Sequence, residues 1–167
     1  MARIPRLVLT SGNACYHIIT RGNQKQTIFT DEEDRKKYLN ILAHYKKRYY
    51  FWIYSYCLMP NHVHLILEPN EKWASISQIM QGINLTYCQW FNVRHGKVGH
   101  LWQGRFKSFI ISKDAYLLSC INYIEFNPVR AGITSDPVDY LWSSCKYRLL
   151  GAENRLLSIP ELETKLT

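Results

Sequence analysis

The segment from Tyr49 to Pro69, YYFWIYSYCLMPNHVHLILEP, constrains the fold more than any other stretch. It is aromatic and β-branched on both sides of Met59-Pro60-Asn61, and the proline turns two extended runs into a predicted β-hairpin. Successive side chains on a strand point to opposite faces, so Val63, Leu65 and Leu67 share one face while His62, His64 and Ile66 share the other. Two residues along a strand separate the histidines by roughly 6–7 Å. Converging imidazoles at that spacing suit one divalent ion. An isolated H-x-H pair is more often two partly buried histidines bonded to neighbours, so the metal reading needs support from elsewhere in the chain.

The segments around this hairpin alternate. ACYHIITRGN (14–23) reads as a first strand, with Tyr16, Ile18 and Thr20 on one face and His17, Ile19 and Arg21 on the other. Thr30-Asp31-Glu32-Glu33 has the form of a capping box, and Tyr38, Leu39, Ile41, Leu42 and Tyr45 follow at helical spacing, predicting a helix over about 31–48. A second box, Ser75-Ile76-Ser77-Gln78, opens a helix to about residue 93 with Ile76, Ile79, Ile83, Tyr87 and Trp90 as its stripe. RHGKVGHLWQGRF (94–106) reads as a cationic loop with an exposed Trp102, followed by a strand at 106–112. Ser112 and Asp114 then suit the start of a third helix, which buries Leu117, Cys120, Ile121 and Ile124 and ends at Asn127-Pro128.

The order β-α-β-β-α-β plus a helix predicts an α+β fold of the ferredoxin-like, split βαβ kind, with a mostly antiparallel sheet of four to five strands. The 167 residues suffice for one domain, with a core over about 14–148 and a tail of unassigned role over 149–167. No run approaches the ~18 apolar residues that span a bilayer, and MARIPRLVLTSGN is too short in apolar residues for a signal peptide, so the expected location is cytoplasmic. The five cysteines have no metal-knuckle or disulfide-scaffold spacing. A net charge of +8 favours polyanionic partners through counterion release.

On the third helix, Tyr116, Cys120, Tyr123 and Asn127 fall along one side at about 100° per residue, beside the apolar stripe. A phenol and an amide four residues apart can serve one reacting centre. In isolation, Tyr123 is equally an ordinary amphipathic tyrosine, and Asn127 a helix terminator before Pro128.

The motifs MPNHVHLIL, GHLWQGRFKS, YIEFNPVRAG and YLWSS, in this order, together with YHIITRGN and IFTDEEDRKKYL, resemble those of the REP-associated tyrosine transposases. These are relatives of insertion-sequence transposases in the single-tyrosine HUH endonuclease superfamily. The resemblance covers roughly residues 14–148 and implies the same ferredoxin-like fold. It implies that His62 and His64 are metal ligands and Tyr123 the nucleophile, with Asn127 a third ligand or organiser where the wider family can carry a longer glutamine.

The activity so implied is metal-dependent nicking and strand transfer on hairpin-forming single-stranded DNA through a 5′-phosphotyrosine bond, with Mg²⁺ or Mn²⁺ and no nucleotide cofactor. Arg105, Lys107 and Trp102 are the first candidates for DNA contact, with Arg21, Arg130 and His17 behind them. The protein is expected as a monomer or homodimer with no membrane partner. The competing readings are an RRM-like module that binds single strands without chemistry, and a structural metal protein.

Overall fold

The predicted hairpin forms from β-type residues on both sides of Pro60, as strands β2 (Trp52–Met59) and β3 (His62–Glu68). The computed structural model describes residues 14–112 and 115–158. The remaining strands are β1 (Cys15–Arg21) and β4 (Lys107–Ile111), and the helices are α1 (Glu32–Tyr49), α2 (Ile76–His95), α3 (Ala115–Glu125), α4 (Asn127–Arg130) and α5 (Cys145–Leu150). The sheet runs β2-β3-β1-β4 with every neighbouring pair antiparallel. This is the split βαβ arrangement: β1 lies between β3 and β4, and the two strands of the hairpin stand on one side of it.

Strand alternation gives the sheet two unlike faces. Ile18, Val63, Leu65 and Leu67 join Tyr38, Leu42, Ile79, Ile83 and Tyr87 from α1 and α2 in the larger core. On the opposite face Cys15, Cys57, Met59, Ile66 and Ile111 meet Leu117, Ile121 and Ile124 of α3. The β3 alternation read from the sequence is therefore the one the fold uses, and α3 covers the histidine face over β2 and β3.

Several local expectations shift by a residue or more. Asp31, not Thr30, caps α1: its side chain accepts from the Asp34 N–H at 3.1 Å, while the Thr30 N–H donates to Asp34 Oδ2 at 2.7 Å. The Ser75–Gln78 box opens α2 as read, and α2 runs on to His95, where Arg94 and His95 bond the buried Asp34 and clamp the start of α1 to the end of α2. The third helix was expected to run to Asn127, but α3 stops at Glu125 and Asn127 begins the short α4. Pro128 offers no N–H to the preceding turn, which favours the break. Asp114, expected at the positive end of this helix, lies outside the described residues.

The tail, unassigned from sequence, packs on the domain over its described residues. Leu156 is buried, Lys46 Nζ donates to its carbonyl at 2.6 Å, and the Ser158 N–H donates to the Ile53 carbonyl at 2.6 Å, so this segment lies against the outer strand β2.

Behind α3, the fully buried Glu125 accepts from Ser144 Oγ at 2.7 Å and from Arg148 Nε and Nη2 at 3.0 and 2.6 Å. Ser144 also lies 2.9 Å from Ser55 Oγ on β2, so the end of α3 is tied to the sheet and to α5. Arg148→Ala leaves the Glu125 carboxylate buried with hydroxyl partners alone and is expected to lower the unfolding free energy by ~3 kcal/mol. Urea denaturation measures this, and an unchanged midpoint would show that the pair does not anchor α3.

Candidate active site

Register, more than sequence proximity, assembles the histidine face. His62 pairs across β3 and β1 with Arg21, His64 with Ile19, and Ile66 with His17; on the far side of β1, Lys107 is level with Ile19 and Phe109 with His17. These rungs place His17, 47 residues from His64 in sequence, close enough that His17 Nε2 and His64 Nδ1 lie 2.9 Å apart in a buried hydrogen bond. Their rings stack at 5.2 Å, and the His62 and His64 rings meet edge-on at 4.9 Å.

Tyr123 of α3 stands beside this group, its ring edge-on to His17 at 6.4 Å and 53% exposed. Its phenol is thus open to solvent while its flank is held. The hold comes from Arg130 on α4, whose guanidinium lies 4.1 Å from the centre of the Tyr123 ring and also donates to the Tyr123 carbonyl. A cation over an aromatic face is attracted by the ring quadrupole. The same guanidinium stays exposed and available to an anion.

Burial pushes the imidazoles toward their neutral forms. His62 is lowered to about 4, by burial and then by the Arg21 charge; His64 is lowered to about 3, by burial, then by His62 and His17, and then by Arg21 and Arg130. His17 is lowered by burial. Neutral imidazoles are the ligating form, so this fits cation binding near neutral pH.

The hydrogen bonds also suit it. His62 Nδ1 lies 2.6 Å from Asn61 Oδ1, which can only accept, so Nδ1 carries the hydrogen and Nε2 keeps its lone pair. In the tautomer where His64 Nδ1 is the donor to His17 Nε2, the His64 Nε2 lone pair is likewise left in place. Among the described residues no group of three or more His, Cys, Asp or Glu side chains is arranged to hold a metal. Two imidazoles fit an open site completed by substrate, and not the four-ligand shell of a structural zinc.

The other sequence candidates separate into two sets. Arg21, Lys107 and Arg130 surround the histidine face. Trp102, expected to be exposed, is half-buried: its indole N–H donates to the Asn84 carbonyl at 2.8 Å and its ring packs near Tyr87, which uses it to fix the loop to α2. Arg105 is exposed and borders α2 near Ser77 and Gln81, away from the histidines. Asn127 is displaced from the Tyr123 helix by the break at Phe126, and its amide nitrogen is buried without a hydrogen-bond partner. Sequence reasoning missed Phe109, whose ring lies 6.1 Å from His17. Alternation alone puts it on a face with Lys107, but only the β1–β4 register shows which face that is.

Comparison with known proteins supplies the family and supports the fold. Residues 10–127 match the family described as Transposase IS200 like. The chain belongs to the IS200-like transposase family. A curated relative in Haemophilus influenzae, assigned to the REP-associated tyrosine transposases, is 25% identical over 146 residues, 81% of each chain. Among solved structures, a REP-associated tyrosine transposase bound to a REP hairpin superposes with a TM-score of 0.72 at 20% identity, covering 96% of this chain and 93% of that one. A Deinococcus radiodurans protein assigned as a transposase superposes at 0.50 with 18% identity, over 75% and 96%. The ferredoxin-like α+β fold expected from the element order and the motifs is thus found, with a four-stranded antiparallel sheet.

In this transposase-family chain the buried histidines give a defined acid response. His62 and His64 bind fewer protons folded than unfolded, so the stability they contribute is fully present above about 6.5 and is lost as pH falls toward about 4 and 3. Asp31, held at about 2 by its bonds to Arg94 and Asp34, adds its own loss only below about 3.8. Thermal melting is expected to fall between pH 6.5 and 4, and His62→Asn/His64→Asn to flatten that slope; an unchanged slope would show that neither group is buried neutral.

Proposed function

We propose that this protein is a metal-dependent single-stranded DNA nickase and strand transferase that acts on hairpin-forming DNA through a covalent bond to Tyr123. The observation that carries the reading is the half-exposed Tyr123 phenol beside a cluster of neutral histidines, flanked by Arg21, Lys107 and Arg130, in a chain of the IS200-like family. The choice of a hairpin rests on the structural relative that holds one.

His62 and His64 would hold Mg²⁺ or Mn²⁺ through their Nε2 atoms, with Asn127 as a third ligand or an organiser of the site. The ion, when bound, supplies charge neutralisation on the scissile phosphate. Two imidazoles favour Mn²⁺ in intrinsic affinity, whereas Mg²⁺ prefers all-oxygen shells.

The Tyr123 oxygen attacks phosphorus, losing its proton to solvent. The bond from phosphorus to the 3′ oxygen breaks, that oxygen takes up a proton, and the 5′ phosphate remains joined to Tyr123. Because one phosphodiester replaces another, a 3′-hydroxyl can attack in return and rejoin a strand. Arg130 orients the ring and offsets charge on the phenolate and phosphate.

Labelled hairpin DNA with a single-stranded tail, incubated with Mn²⁺ or Mg²⁺ and resolved under denaturing conditions, tests this. Cleavage with a protein–DNA adduct is expected from the native protein. Tyr123→Phe should abolish the adduct while retaining binding, and His62→Ala/His64→Ala should abolish metal-dependent cutting. Tight binding without cutting in any metal would establish a non-catalytic single-strand binder instead.

The Arg130 contact makes a separate prediction. Arg130→Lys keeps the charge but loses the planar stack, and should slow single-turnover cleavage by roughly tenfold, the scale of a cation–π contact. An unaltered rate would remove Arg130 from the positioning of Tyr123.

A further inference from the structure

The two outer strands of the sheet are treated differently. The segment ending at Ser158 lies along β2, and α3 covers β2 and β3 on the histidine face. Cys15 and Ile111 are buried against α3, but among the described residues the Lys107–Phe109 part of β4 on that face is exposed. On it Lys107 is exposed and level with His64 across Ile19, and Phe109 is level with His17. Phe109 is 53% exposed, with its ring 6.1 Å from that of His17, which in turn is 6.4 Å from Tyr123. An apolar ring therefore stands in solvent one rung from the histidine pair, with a cation on the next rung of its own strand.

We propose that Phe109 is the stacking platform for the base of the nucleotide adjoining the scissile phosphate, with Lys107 contacting that nucleotide's phosphate. This rests on the nuclease reading of the same site. The local charge selects the occupant: Arg21, Lys107 and Arg130 border the open surface, while the nearby Glu125 is turned away and bonded to Arg148. A cationic surface with an upright aromatic ring suits single strands, whose bases have free faces. Lys107 and Phe109 lie two residues apart on one face, roughly 6–7 Å, the scale on which a nucleotide separates its own phosphate from its base. Stacking is sequence-tolerant because every base has a π-face, so Phe109 would grip the strand without dictating the base.

The test uses the Tyr123→Phe protein, which cannot turn over, with Mg²⁺ and a hairpin whose tail carries 2-aminopurine at each position in turn. Fluorescence quenching is expected at one position next to the cleavage junction. Phe109→Leu, which keeps an apolar side chain at a half-exposed position, should abolish that quenching and weaken binding about tenfold, ~1.4 kcal/mol. Phe109→Trp should restore both. Unchanged quenching and affinity in Phe109→Leu, or failure of Trp to rescue, would overturn the proposal. Cleavage by the protein with Tyr123 intact is scored alongside. Cutting with no Phe109 effect removes the stacking role alone, whereas a Phe109-dependent quench without cutting in any metal keeps the base platform and removes the nuclease reading.

Discussion

The pairing of β1 with β3 is the constraint on which the rest depends. Both faces of β3 are covered, so each of its side chains must belong to one of two interiors, and a slip of one residue would exchange them. In the register formed, Val63, Leu65 and Leu67 enter the core under α1 and α2, and His62 and His64 face α3. The same ladder carries Arg21 to His62 and lets His17 reach His64 diagonally. The site is a by-product of satisfying the backbone of an antiparallel sheet.

Burial then determines the chemical state of what the register has assembled. Imidazoles removed from water beside Arg21 and Arg130 cannot readily carry charge, so they are held as neutral donors of lone pairs in a strongly basic chain. The cations, in contrast, remain at the rim, where they keep their hydration until an anion arrives. This division between buried neutral nitrogen and exposed charge suits a polyanion that must be brought close to a metal. It also separates the groups that would bind the ion from those that would bind the strand.

Much of the fold was legible because its signals are local. Alternation marks β3, Ser75 and Gln78 open α2, and the chain order of strands and helices specifies the split βαβ arrangement. Signals that depend on distant partners are weaker in a linear sequence. Trp102 looks exposed in a glycine-rich cationic loop, yet Asn84 and Tyr87 on α2 take up its N–H and its ring. Thr30 resembles a cap until Asp34 bonds its N–H. Of the site, His62, His64 and Tyr123 stand out as residue types in a motif. The roles of His17 and Arg130 are weak in sequence because each depends on a contact across the fold, and Phe109 has only its alternation with Lys107, which does not say which face of the sheet they share.

The sequence by itself determined the main elements, their order, the face shared by His62 and His64, and the kinship with the REP-associated tyrosine transposases. Those properties follow from short-range periodicity, turn chemistry and motifs, which a linear chain carries in full. Only the tertiary structure decided that His17 bonds His64, that Arg130 lies on the Tyr123 ring, and that Lys107 and Phe109 of β4 lie exposed on the histidine face. These depend on strand register and on where α3 lies across the sheet, and both are settled by packing between segments tens of residues apart.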